Sequence, residues 1–244
     1  MTLSEDMKET LCRRGVDSEK VFVINNPPVG GTVDSGVPLP DGFPTERPVI
    51  LFAGNHGSFQ GLDKLVEAAR CLPKESEVAF VFIGEGASKK SLIEQAGDLV
   101  GSRVFFLEQQ SVETAHRAMA EAMMGVVSLM PGVYKVAYPS KTMNYFSAGC
   151  PVLALVEPES CLSRTLKESG TGVSVWGKSP EKIAQAVCDF ESNVWKVGTE
   201  TFTLRVNQFF EKHFSAQVVF SKWGQIFTQM KHEEHLSKRQ QDKI

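Results

Sequence analysis

The sequence has no run of about 18 apolar residues and no hydrophobic segment at its N-terminus, so neither a membrane-spanning helix nor an export signal is expected. Positive charge is not in excess. The 26 Lys and Arg against 29 Asp and Glu give a net charge of −3, without the basic domain or face that nucleic-acid binding requires. Cysteine is sparse and unpaired in pattern, with Cys12, Cys71, Cys150, Cys161 and Cys188 forming no CxxC. That excludes a cysteine-rich zinc module and favours reduced thiols in a cytoplasm over a disulfide framework. Cys71 and Cys150 lie in apolar runs, where a thiol packs as a small hydrophobe. GxGxxG, GxxxxGK[ST] and GxSxG are all missing, which removes the usual dinucleotide loop, the ATP loop and the serine-hydrolase elbow. His213, His232 and His235 have no carboxylates at ligand spacing, so no metal site is expected. There is no internal repeat of 20–50 residues beyond strand–helix alternation and no low-complexity tract.

What is present is an ordinary globular composition, 42% hydrophobic and 23% charged, with strong alternation. Leu3, Met7 and Leu11 share a helical face between Ser4 and the stop at Gly15. Val21–Ile24 reads as a short strand, and Asn25–Pro48, rich in Gly, Pro and Asp, as a long surface loop. Five apolar strands then follow in turn: Val49–Ala53, Val78–Ile83, Arg103–Leu107, Gly125–Leu129 and Val152–Val156. Gly172–Trp176 adds a sixth. Helices over Leu62–Leu72, Lys89–Val100, Val112–Met123, Ser160–Ser169 and Pro180–Glu191 separate or follow them. Continuous apolar strands between amphipathic helices mean parallel strands buried on both faces, hence a doubly wound α/β sheet of about six strands. Thr201–His213 and Ser215–Met230 close the domain with an aromatic face of Phe209, Phe210, Phe214, Phe220, Trp223 and Phe227. The expected domain is 1–230, followed by a polar tail at 231–244, frayed or disordered.

The stretch Tyr138–Ala154 organises the rest. It reads as a loop ending at Pro139, a short helix from Ser140 to Ala148, a glycine stop and a buried strand. Ser140 and Thr142 suit a helix N-terminus and Gly149 the left-handed residue after its last turn. Lys141 in the first turn runs against the helix dipole unless an anion sits there, so a phosphate site is expected. A solvated lysine on a connecting helix is the plainer alternative.

Ligands of doubly wound sheets bind at the carboxyl ends of the strands. Those ends carry Gly54-Asn55-His56-Gly57, Gly84-Glu85-Gly86, Glu108-Gln109-Gln110, Met130–Pro139 and Glu157, several of them glycine turns that let a backbone approach a ligand. Simple turn chemistry explains such glycines equally well. His56 reads as a polar loop residue, His116 as a solvated position on its helix, and no catalytic residue is identified. The aromatic stripe reads as packing surface, or as a partner surface if left bare.

In order along the chain, LSEDMKETLCRRGV with KVFVINN, ILFAGNHGSFQGLDKLVEAA, FVFIGEG with Val104–Leu107, and PSKTMNYFSAGCPVL resemble the C-terminal, donor-binding half of the family-4 retaining glycosyltransferases of the two-Rossmann-domain (GT-B) type. The resemblance spans roughly Met1 to Gln229. It implies transfer of a sugar from a nucleotide diphosphate sugar, of UDP type, with retained configuration and no cofactor or metal ion. It also implies a diphosphate held by Gly54, Asn55, Gly57, Gln60, Ser140, Lys141 and Thr142, and a nucleoside near Gly84, Glu108, Gln109 and Asn144.

The sequence departs from that family pattern where charge is usual. Asn55 and Gln60 stand where many members have arginine and lysine, and Val136 and Asn144 where many have two glutamates. A subgroup with Gly-Asn…Gln-Gly and Pro-Ser-Lys at these points looks closer, with Lys141 supplying the charge. The resemblance implies a cytoplasmic protein, acting on a cell-envelope or polysaccharide acceptor. An acceptor-binding Rossmann domain is expected from a separate partner chain, or this is a shortened form of a longer enzyme. Self-association through the aromatic helices, and contact with the inner face of a membrane through the partner, stay open. So do a nucleotide-sugar-binding scaffold without catalysis and, less favoured for want of carboxylates at the donor helix, a sugar-nucleotide 2-epimerase.

Overall fold

A computed structural model of the chain describes residues 1–29, 33–177 and 179–241. The apolar runs form six strands: β1 Val49–Ala53, β2 Ala79–Ile83, β3 Val104–Leu107, β4 Met124–Ser128, β5 Val152–Leu155 and β6 Gly172–Ser174. They make one sheet in the order β3-β2-β1-β4-β5-β6, every neighbouring pair parallel. This is the doubly wound α/β architecture expected, and its direction reverses between β1 and β4.

Helices cover both faces because strand side chains alternate. Val49, Leu51 and Ala53 face a cluster with Met143, Tyr145, Phe146, Leu162 and Phe210. Ile50 and Phe52 face another with Leu65, Val66, Leu92, Ile183 and Val187. α1 Glu5–Arg13 opens the chain; the helices behind these clusters are α2 Asp63–Cys71, α3 Lys89–Ala96, α4 Val112–Glu121, α5 Lys141–Ser147, α6 Cys161–Ser169, α7 Pro180–Val197 and α8 Thr199–His213, and α9 Ala216–Gln241 follows them. Phe52, Phe80 and Phe82 are almost wholly buried, each burial worth about 1.5–3 kcal/mol.

The β1–β4 ladder is short, pairing Ile50 with Met124 and Leu51 with Gly125. Beyond it the Tyr145 hydroxyl takes over as a polar spacer. It accepts from the Ala53 amide at 3.1 Å and donates to the Leu51 carbonyl at 3.0 Å, so both backbone groups stay satisfied as the strands part. A β-carbon at Gly125 would lie 2.1 Å from the Tyr145 ring, which is why this strand position has no side chain. The sheet therefore opens at its switch point.

Several expectations are corrected. Val21–Ile24 forms no strand of the sheet. It makes one parallel bridge, Thr2 to Val23, because its neighbour Thr2 lies just before the bend into α1 and prolines at 27 and 28 remove further donors. The helix expected to end at Val100 stops at Ala96, where Gly97 has a positive φ of 52°. α7 runs past Glu191 to Val197, since no breaker intervenes before Gly198 at φ 87°. α9 continues past Met230 to Gln241; the polar segment is rich in Lys, Glu, Gln and Arg, all good helix formers. The last positions of the expected tail, 242–244, lie outside the described residues, as do 30–32 of the long loop. The aromatic residues of the closing helices do not share one face. Phe209 and Phe214 pack on Phe146 and Phe210 is buried, whereas Phe220 is 64% and Phe227 56% exposed. Among the described residues no helix is long and apolar enough to cross a membrane, and all five cysteines are free thiols.

Candidate functional site

A cavity of about 530 Å³ opens where β1 and β4 part, lined by Val29, Gly54, Asn55, Gln109, His116, Lys141 and Asn144 among others. A second cavity, about 390 Å³, lies at the other end of the strands beside Pro48, Pro151 and Phe202. Its lining offers carboxylates but no cation. The first cavity sits where doubly wound sheets take ligands, and its chemistry centres on Lys141.

Lys141 begins α5, whose Met143, Tyr145 and Phe146 pack on one side of the sheet. Its side chain passes over Gly54 and places the ammonium 3.8 Å from the centre of the Phe52 ring, a residue of the opposite cluster. Gly54, at φ 129°, is what permits this crossing: a β-carbon there would lie 2.7 Å from Lys141 Cε and 2.9 Å from Nζ. The ammonium is sealed from bulk water and, among the described residues, has no hydrogen-bond partner. Burial pushes its pKa down to about 8, and the Phe52 face compensates in part. An anion entering this cavity would meet a cation that has no counter-charge of its own.

The start of α5 differs from expectation. Ser140 has helical backbone angles and makes no capping bond with its exposed side chain. The Thr142 and Met143 amides are already committed to the Pro139 and Ser140 carbonyls, at 3.0 Å each. The positive character of this site thus lies in the Lys141 side chain more than in free helix amides. Thr142 is wholly buried and its hydroxyl has no partner among the described residues.

Of the other residues expected in the site, the structure brings Gly54, Asn55, Gln109 and Asn144 to the cavity with Lys141. Gly57, Gln60, Ser140, Thr142, Gly84 and Glu108 are not among its lining residues. Gly84 serves the packing of the turns, since a β-carbon there would sit 2.3 Å from the Gly54 carbonyl oxygen. The β1 and β2 turns are locked together by Gly54 N–H to the Ile83 carbonyl and His56 N–H to the Glu85 carbonyl, both 2.8 Å. The Gln60 carbonyl accepts from the Ser128 hydroxyl, tying the first turn to β4. Asn144 is not idle: its Oδ1 accepts from the Val29 amide at 3.0 Å, so the long loop touches the site.

Two histidines read as polar from sequence are interior. His56 is wholly buried between the Phe52 and Phe82 rings, at 5.7 and 6.2 Å, and among the described residues neither ring nitrogen has a partner in good hydrogen-bond geometry. Burial, then Lys89 and Lys141, push its pKa down to about 4, with Glu85 and the Ile83 carbonyl opposing. His116 is 4% exposed, lines the cavity and contacts Ser147 Oγ through Nε2 at 3.0 Å; burial lowers its pKa. The spacing of Ala115, Ala118, Met119 and Ala122 marks the buried face of α4. That His116 joins it depends on α5 packing alongside, which no local pattern reveals.

Residues 47–193, more than half of the chain, match the family described as "Glycosyl transferases group 1". Over 139 residues the chain is 28% identical to the probable glycosyltransferase WbjE of Pseudomonas aeruginosa, covering 57% of this chain and 34% of that protein. The structure of Anabaena Alr3699/HepE in complex with UDP matches with a TM-score of 0.71 at 15% identity, over 95% of this chain and 63% of that one. HepE has also been solved with UDP-glucose. A glycosyltransferase from Rickettsia africae matches at 0.70 and 17% identity, over 93% and 62%. The structural likenesses bear on the fold. The chain spans about a third of the length of its curated relative.

Proposed function

The chain belongs to the glycosyl transferases group 1 family, and from that premise we propose that it is the donor-binding half of a retaining, family-4 glycosyltransferase of GT-B type. The cavity at the β1–β4 opening takes the nucleoside diphosphate of a nucleotide sugar. The sugar passes to a cell-envelope or polysaccharide acceptor without a metal ion.

The observation that carries this reading is the buried, unpartnered ammonium of Lys141 beside Gly54. A buried charge without a counter-charge is unfavourable, and a diphosphate supplies the counter-charge while the bare Gly54 backbone admits it. In this reading Lys141, Gly54 and Asn55 meet the diphosphate, and Gln109 and Asn144 the nucleoside. The complexes of HepE with UDP and UDP-glucose support a UDP-type donor. An acceptor-binding Rossmann domain, on this or a partner chain, completes the cleft. The exposed Phe220 and Phe227 of α9 offer a surface for it or for a second copy, and the assembly works at the cytoplasmic face of a membrane.

Calorimetry with UDP, GDP and ADP tests the proposal. One of the three is expected to bind at sub-millimolar concentration, and silence from all three at millimolar concentration would overturn it. A second reading, a nucleotide-sugar-binding scaffold without turnover, is favoured by the neutral Val136 and by an Asn144 already engaged with Val29. Co-expression with the neighbouring reading frame and a transferase assay separate the two, since turnover by the pair excludes the scaffold.

A further inference from the structure

Six residues beyond Lys141 on α5, Ser147 links the site to α4. Its hydroxyl donates to the Asn144 backbone carbonyl at 2.9 Å and lies 3.0 Å from His116 Nε2. A serine hydroxyl has one proton and two lone pairs. With that proton on the Asn144 carbonyl, the oxygen can only accept from the imidazole. His116 therefore carries its proton on Nε2 and keeps Nδ1 as a bare acceptor. Nδ1 has no partner among the described residues, nor is it one of the sealed, unsatisfied atoms. Since His116 lines the cavity that holds Lys141 and Asn144, this acceptor opens there. Burial disfavours the charged ring, which favours Nδ1 as an acceptor.

The neighbouring acceptor is already in use, because Asn144 Oδ1 takes the Val29 amide. In a nucleoside diphosphate the groups that follow the phosphates are the ribose hydroxyls, which are donors. Along α5 the groups that follow Lys141 are Asn144 and then the Ser147–His116 pair, about 4.5 and 9 Å of helix rise away. The two sequences of groups correspond. Resting on the donor site proposed above, we infer that His116 Nδ1 accepts a hydrogen bond from a ribose hydroxyl and makes the site selective for ribonucleotides over deoxyribonucleotides. A binding site that hydrogen-bonds a hydroxyl rejects the analogue lacking it, because its own polar group is left unpaired.

The test is calorimetry of UDP against 2′-deoxy-UDP and 3′-deoxy-UDP, on the wild-type chain and on His116→Phe. The wild type is expected to bind one deoxy analogue about tenfold more weakly than UDP, and His116→Phe to bind all three equally at that weaker level. Should His116→Phe fail to fold, Ser147→Ala serves: it frees the tautomer and should shrink the discrimination. Nitrogen-15 spectra of the wild-type ring should show Nε2 protonated and Nδ1 bare. Equal binding of all three nucleotides by the wild type, undiminished discrimination in both variants, or a proton on Nδ1 would overturn the inference. If UDP does not bind the wild type at all, the donor site itself fails.

Discussion

Lys141 and Phe52 belong to opposite faces of the sheet, yet the ammonium of one lies 3.8 Å from the ring centre of the other, across the backbone of Gly54. The contact satisfies the charge only in part, and this has consequences for Lys141 and for Gly54.

Replacing Lys141 by Met should weaken nucleotide binding by about 1.5–3 kcal/mol, the range for a hydrogen bond to a charged group, without destabilising the empty protein. The free amine has its folded pKa lowered to about 8 from 10.5. The unfolded chain therefore holds more protons between these values, and stability rises with pH across that window. Urea titrations at pH 8 and pH 10.5 should show that rise in the wild type and its loss in Lys141→Met.

Gly54→Ala puts a β-carbon against Lys141 and a side chain at φ 129°, where only glycine is comfortable. A loss of about 1–3 kcal/mol in stability is expected from the backbone, together with loss of nucleotide binding. Thermal unfolding and calorimetry on the same sample check both. A variant with unchanged affinity would mean that Lys141 need not lie over Gly54 when ligand binds.

His56 should make the protein acid-sensitive. Its folded pKa is lowered to about 4 from 6.5, so the unfolded chain takes up the proton first as pH falls. Stability is then lost from pH 6.5 down to about pH 4, by about 3 kcal/mol at most. His56→Leu should remove that component in urea titrations at pH 7 and pH 4, because it removes the titrating group.

Tyr145→Phe deletes the hydroxyl that serves the Ala53 amide and the Leu51 carbonyl, leaving two buried backbone groups unpaired. A cost of about 2–4 kcal/mol is expected in denaturant unfolding. Hydrogen exchange should show faster opening at Ala53 than at β2.

Much of this was legible in sequence where the signal is local. The strands announce themselves as apolar runs, because burial on both faces needs no alternation, and Gly54 and Lys141 stand out as a strand-end turn and a misplaced cation. What was hidden depends on contacts distant in sequence. Val21–Ile24 is as apolar as a strand, but among the described residues only Thr2 forms a bridge with it. Two of the amides expected to be free at the start of α5, those of Thr142 and Met143, are taken by the Pro139 and Ser140 carbonyls. His116 looks solvated until α5 brings Ser147 against it, and Asn144 looks free until Val29, 115 residues away, donates to it. The six-strand sheet could be read from periodicity, whereas the partners of each site residue could not.

The most direct test is a crystal of the protein soaked with UDP. The diphosphate is expected in the β1–β4 opening, with an oxygen within hydrogen-bond distance of Lys141 Nζ and the ribose beside Asn144. A nucleotide bound elsewhere, with Lys141 still resting on Phe52 and unpaired, would contradict it.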